Sequence, residues 1–254
     1  MSDARQISGE LLARLARFGR VYLLDTVTST NDYAFSVAER HEPAVVLAQN
    51  QTRARGRFRR HWHADENSLC FSLLLFLGDP EDPQLPQLTQ FVGLAVCHAV
   101  EQVTGLRAKI RWPNDIIVED HKVCGILCEQ RKEAIVLGIG LNVNQPGFPE
   151  ELELPEAGSL RMAANREFER LELLDAILTW FFRILDRARN EEVPQLLSEI
   201  KARSSILHRR VEIRTLLRRH IGTVVDIDVE GRVVLRTTSG RLTVISAGQA
   251  RGIQ

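Results

Sequence analysis

A-K-I-R-W-P-N-D-I-I-V-E-D-H-K-V-C-G-I-L-C-E-Q-R-K-E-A-I-V-L-G-I-G-L-N-V, residues 108–143, carries the strongest strand signal in the chain. Three β-branched runs, 108–117, 123–129 and 134–143, are separated by short polar turns such as E-D-H-K, a pattern that predicts adjacent antiparallel strands. Upstream, Leu88, Phe91, Val92, Ala95, Ala99 and Val103 follow helical spacing and predict a core-facing helix. Downstream, Leu174, Ile177, Leu178, Phe181 and Leu185 form the inward stripe of a second helix over 169–189, followed by a shorter one around 194–202. Strands are expected at 21–27, 44–48 and 68–77, the last bounded by the turn-rich G-D-P-E-D-P-Q. A short amphipathic helix is expected over 8–18, and T-S-T-N-D offers an N-cap to another. The class is α+β, with a mixed or antiparallel sheet and helices. After Ser205 the composition changes to short strands with turns at V-E-G-R and T-S-G-R, which predicts a small all-β, barrel-like module. The expected division is 1–205 and 206–254.

The charge is balanced, with 33 basic and 33 acidic side chains among 254 residues. That balance and the few aromatics do not suit a dedicated nucleic-acid binder. The most apolar run, 91–100, is shorter than the ~20 residues a bilayer requires. The N-terminus has no apolar signal region, so a cytoplasmic location with no membrane partner is expected. Cys70, Cys97, Cys124 and Cys128 form no C-x-x-C pair and read as small buried hydrophobes. His61 and His63 flank Trp62, but no carboxylate or cysteine cluster joins them, and no metal site is expected.

Against this neutral background, Arg53, Arg55, Arg57, Arg59 and Arg60 crowd into one stretch, T-R-A-R-G-R-F-R-R-H-W. Guanidinium forks match phosphate and carboxylate, Gly56 permits close backbone approach, and Trp62 adds a flat apolar surface. A solvated basic loop, a nucleic-acid patch and a phosphate-ligand site all fit that run taken alone. Other segments add polar groups. Ser29, Thr30 and Asn31 stand at a strand-to-helix junction, as an N-cap or as partners for a polar ring. Gln51 ends a strand as a neutral donor and acceptor. Pro113 interrupts the run R-W-P-N-D-I, which predicts Asn114 and Asp115 outside the ladder. Lys122 stands at a hairpin mouth, as a surface turn residue or a ligand group, and Gly125 inside a strand implies close packing on its backbone. V-L-G-I-G-L-N-V-N supplies Asn142.

In order, S-T-N, Q-T-x-x-x-x-G-R-x-x-R-x-W, W-P-N-D, K-x-x-G-I-L and G-I-G-L-N-V-N resemble the biotin protein ligases from about residue 21 to 144. The resemblance implies a class II synthetase-like core and a C-terminal SH3-like β-barrel. It also implies activation of biotin by ATP with Mg²⁺, as biotinoyl-5′-adenylate, and transfer to a lysine of a biotin carboxyl carrier protein. Position by position, it gives Ser29, Thr30, Asn31, Gln51, Arg55, Gly56, Arg57, Lys122 and Gly125 to biotin. Arg57, Trp62, Asn114, Asp115 and Asn142 go to the adenylate. Lys122, Arg57 and Asp115 would carry the chemistry, with Asp115 orienting the incoming amine. The chain departs from the family pattern at Ala54 and Arg59, where the loop has glycines, and at Arg111, where lysine is usual. About twenty residues precede the first strand, too few for the winged-helix DNA-binding domain of some members, so no DNA partner is expected. Homodimerisation by sheet extension, at an edge of the β-rich block, is compatible with the resemblance. The competing readings are a lipoate–protein ligase and a non-enzymatic nucleic-acid-binding protein.

Overall fold

A computed structural model describes residues 9–77 and 85–253. The expected G-D-P-E-D-P-Q turn at 78–84 lies outside the described residues. The chain runs α1 (Gly9–Ala16), β1 (Arg20–Val27), α2 (Thr30–Ser36), β2 (Ala44–Gln51), β3 (Ser68–Phe76), α3 (Leu85–Thr104), β4 (Lys109–Arg111) and β5 (Asp115–Val118). It continues with β6 (His121–Arg131), β7 (Ala134–Asn142), α4 (Leu160–Ala164), α5 (Arg170–Arg189) and α6 (Val193–Arg203). A seven-stranded sheet has the order β1-β2-β3-β7-β6-β5-β4. Only β1 and β2 pair in parallel, because α2 makes the crossover between them. The sheet is therefore mixed, as expected.

Helices α3 and α5 cover one face of its centre and α2 part of the other, and β3 is buried along almost its whole length. Leu69, Phe71, Leu73, Leu137, Ile139 and Leu141 belong to one core with α3 and α5, and all five residues of the expected α5 stripe are buried there. The alternate residues of β3 and β7 are small: Ser68, Cys70 and Ser72, then Gly138, Gly140 and Asn142. On that face α2 covers one end, where Ala34 meets Val46, Leu74 and Val136. The middle of the face is left open by its small residues.

The run 108–117 is a hairpin, not one strand. Proline has no N–H for the ladder, and the chain reverses through Trp112–Asn114, with Arg111 opposite Asp115. The expectation that Asp115 leaves the ladder is corrected, since it pairs with both Arg111 and Gly125. Asn114 lies outside the strands, yet its carbonyl accepts from the Ile126 N–H at 2.9 Å and its Nδ2 donates to the Ile126 carbonyl at 2.8 Å. The outer edge of β4, the edge of the β-rich block, is taken by the chain itself, as the Ser205 N–H donates to the Ile110 carbonyl at 2.8 Å.

The C-terminal strands are β8 (Arg210–Arg214), β9 (Arg219–Ile227), β10 (Val233–Thr237), β11 (Leu242–Ile245) and β12 (Gln249–Gly252), in the order β11-β10-β9-β8-β12. They form an antiparallel sheet whose edge strands do not pair, so the expected barrel-like module is an open one. Even so, three residues join β11 to β12 across the sheet. That link spans about 14 Å, whereas the outer strands of a flat five-stranded sheet stand about 19 Å apart. The sheet must curl. Trp112, 2% exposed, belongs to its core with Val211, Ile213, Val224 and Val233, and the Trp112 Nε1–H donates to the Gly231 carbonyl at 2.8 Å.

Candidate active site

A row of directly paired residues crosses the open face of the large sheet: Ala48, Cys70, Gly140, Gly125, Asp115. Its glycines are required by what lies on them. A Cβ at Gly140 would come within 2.6 Å of the Trp62 indole nitrogen, and one at Gly125 within 3.0 Å of the same ring. At Gly138 it would come within 2.2 Å of Asn31 Oδ1. Above this floor is a cavity of about 420 Å³, of a size for a small organic ligand. Every residue that the resemblance gives to biotin, the adenylate or the chemistry lines it, from Ser29 to Asn142.

The S-T-N corner is more than a cap. Ser29 is the N-cap of α2, but its side chain makes no capping hydrogen bond. The Thr30 N–H and hydroxyl donate to Gln51 Oε1 at 2.8 and 3.2 Å. Asn31 acts as a strut: its Nδ2 donates to Glu129 Oε2 at 2.7 Å and to the Leu127 carbonyl at 3.2 Å. Ser72 Oγ lies 2.7 Å from both Thr30 Oγ1 and Asn31 Oδ1.

The arginine loop closes on itself. The Gly56 N–H donates to the Arg60 carbonyl at 2.8 Å and the Trp62 N–H to the Ala54 carbonyl at 3.0 Å. Phe58, at φ 57°, is its left-handed residue. Gly56 has an extended backbone, and Ala54 is not left-handed, so the alanine fits. The side chain of Arg59 lies outside the described residues. Arg55 faces Asp32 through both forks of its guanidinium, at 2.5 and 2.8 Å, and reaches Glu129 at 3.3 Å. Its hydrogen bond to Asp32 raises the arginine pKa and holds the Asp32 carboxyl below the usual range. Arg55 is therefore a loop anchor, already matched with acids. Arg57 differs: its Nη1–H donates to the Gly248 carbonyl at 3.4 Å, and burial lowers its pKa. Among the described residues no carboxylate stands within ion-pair distance of it. A partly desolvated cation in that position favours an anionic ligand.

Opposite, Asp115 sits between Lys122 Nζ at 2.6 Å and Arg111 Nη2 at 3.1 Å. Arg111 also donates to Glu156 at 2.9 Å, so its fork bridges two carboxylates, which suits guanidinium better than the usual lysine. Lys122 Nζ lies 5.5 Å from the Trp62 ring centre. Asn142 Nδ2 donates to the Gly158 carbonyl at 2.9 Å, while its Oδ1 and Trp62 Nε1 are buried without a partner.

Residues 23–145 match the Biotin/lipoate A/B protein ligase family. The Bifunctional ligase/repressor BirA of Bacillus subtilis is 34% identical over 234 residues, 88% of this chain and 71% of that one. This chain belongs to the biotin protein ligase family. It is an enzyme of biotin ligation. The Biotin–[acetyl-CoA-carboxylase] ligase of Mycobacterium tuberculosis is 35% identical over 217 residues, covering 80% of this ligase and 77% of its own length. Among solved structures, the biotin protein ligase from Aquifex aeolicus in complex with biotin and ATP superposes with a TM-score of 0.80 at 27% identity, over 91% of this ligase and 97% of that chain.

Sequence reasoning left several parts of the ligase site unassigned. Gly138 and Gly140 stand two apart in G-I-G, so they share one sheet face, and Gly140 pairs with Gly125, which places both in the floor. Asp32 and Glu129, which fix Arg55, carried no local signal. Nor did Gly248–Arg251, which the C-terminal sheet brings to the cavity wall. Trp112, which the sequence shows only as part of W-P-N-D, is a core residue of that sheet. Cys70 is buried, and burial pushes its thiol up to about 11, so it stays protonated at neutral pH. Among the described residues no group of three metal-ligating side chains occurs, and no helix is long and apolar enough to cross a membrane.

Proposed function

We propose that this ligase activates biotin with ATP and passes it to a lysine of a biotin carboxyl carrier domain, such as that of a carboxylase. A carboxylate oxygen of biotin attacks the α-phosphorus, the bond to pyrophosphate breaks, and biotinoyl-5′-adenylate remains. The lysine nitrogen then attacks the acyl carbon; the C–O bond to AMP breaks, and the amine's proton goes to solvent. The supporting observation is the convergence of Arg57, Lys122 and Asp115 on one glycine-floored cavity. The first step brings two anions together, so the protein's contribution is charge neutralisation and alignment, with no side-chain nucleophile needed.

In this reading Ser29, Thr30, Asn31 and Gln51 hold the biotin head beside Gly125. Arg55 and Gly56 fix the loop over it. Arg57 and Lys122 stabilise charge at the carboxyl–phosphate junction. Trp62, Asn114 and Asn142 face the nucleotide, and Asp115 orients the amine. Mg²⁺ enters with the nucleotide as part of the substrate, keeping most of its own waters. Residues 1–205 carry the chemistry, and the module at 206–254 contributes a wall. In this reading the enzyme works in the cytoplasm.

The test is adenylate formation in a single turnover. Lys122→Ala and Arg57→Ala each slow it by at least ~10²-fold, the scale of losing one charge stabiliser; near-normal rates in both would misplace the roles. Pyrophosphate exchange is driven by biotin and not by lipoate, and the reverse preference would make this a lipoate ligase.

A further inference from the structure

Leu216 and Leu217 are the residues least suited to their surroundings, 83% and 92% exposed at the tip of the β8–β9 hairpin. The tip is an ordered turn: the Thr215 N–H donates to the Arg218 carbonyl at 2.8 Å, and the Arg218 N–H to Thr215 Oγ1 at 3.0 Å. Its two central positions, where turns favour Gly, Asn or Asp, hold leucines instead. Side chains so exposed gain nothing from folding. Around them, residues 209–219 contain five arginines and one acid. That acid, Glu212, contacts Arg214 and, at 3.1 Å, Arg219.

The position of the tip gives it meaning. Arg214, the last residue of β8, pairs with Gln249 of β12. Gly248 and Gln249 line the cavity, and the Gly248 carbonyl accepts from Arg57. The hairpin tip thus begins where the C-terminal sheet becomes cavity wall. Two further exposed apolar residues, Phe58 at 46% and Leu154 at 40%, line the same cavity.

We propose that the tip 215–218 is the docking element for the protein acceptor, and that it fits an apolar spot ringed by carboxylates on that acceptor. This rests on the function proposed above. Small substrates are held inside the cavity, but a lysine carried on a folded domain must be held at its mouth from outside. Leucines at a tip that adjoins the wall residues Gly248 and Gln249 supply the buried contact, and Arg214, Arg218 and Arg219 steer an acidic surface towards it.

The experiment compares the parent with Leu216→Ser/Leu217→Ser, in which both replaced side chains lie in water. Biotin-dependent pyrophosphate exchange and capture of the activated biotin by hydroxylamine stay within about twofold, as for ordinary surface changes. The kcat/KM for an apo biotin carboxyl carrier domain falls by about tenfold or more, mainly through KM. Arg218→Glu lowers the same parameter and weakens its salt dependence. An unchanged carrier kcat/KM in the double variant, with exchange intact, overturns the docking proposal. So does a variant that keeps full carrier use but loses self-association in sedimentation, or loses binding to phosphatidylglycerol vesicles. Absence of biotin-dependent exchange in the parent is a different failure: it removes the proposed function and the docking proposal with it.

Discussion

Gly138 shows how one missing methyl group holds the site together. Its position lets Asn31 lie against the sheet, and Asn31 is held there by Ser72, Glu129 and the Leu127 carbonyl. A Cβ would have to displace a side chain fixed on three sides, where overpacking costs about 1–3 kcal/mol. We expect Gly138→Ala to weaken biotin binding by about tenfold or more in calorimetry. Gly147→Ala, where the added Cβ meets nothing within 4 Å, leaves affinity unchanged. Asp32 acts by charge. Its carboxyl is held below the usual range chiefly by the hydrogen bond from Arg55. A lowered carboxylate pKa contributes stability that is fully present above the unfolded value, about pH 4, and is lost as pH falls through the folded value. Asp32→Asn therefore shows a shallower loss of thermal stability below about pH 4 than the parent; parallel curves would mean that the pair contributes nothing.

At the level of elements, the W-P-N-D hairpin joins the two sheets. One face of the turn sends Trp112 into the core of the C-terminal sheet, while Asp115, three residues on, stands in the cavity between Lys122 and Arg111. The Trp112 hydrogen bond to the Gly231 carbonyl fixes that geometry from behind. Trp112→Phe keeps an aromatic ring but removes the donor and some volume. We expect a loss of about 1–3 kcal/mol in denaturant unfolding, with slower adenylation and biotin affinity little changed. Loss of biotin affinity instead would place the turn on the biotin side.

For the whole molecule, the shared Trp112 predicts joint unfolding of the two sheets. The C-terminal core is small and includes a side chain from the catalytic sheet, and Lys201 on α6 reaches Asp226 on β9 at 2.6 Å. Far-ultraviolet circular dichroism and tryptophan fluorescence should report one coincident transition in urea. Two separated transitions would show that the C-terminal sheet stands alone.

Residue order was enough for much of this. Periodic apolar runs placed the strands and the long helices, because burial of one face imposes a period of 2 or 3.6 on any sequence. The family resemblance that short motifs carry gave Ser29, Gln51, Arg57, Lys122 and Asn142 to one site, and all five line one cavity. Contacts between distant segments were decided only in three dimensions. Arg55 and Arg57 are two residues apart and look alike in the sequence, yet among the described residues one meets two carboxylates and the other none. Trp112 stands inside a site motif in the sequence, yet its ring belongs to the core of the C-terminal sheet. The open edge of that sheet and the floor of paired glycines likewise depend on which strands become neighbours, and strand pairing is set by the packing of the whole chain, which no local run of residues encodes.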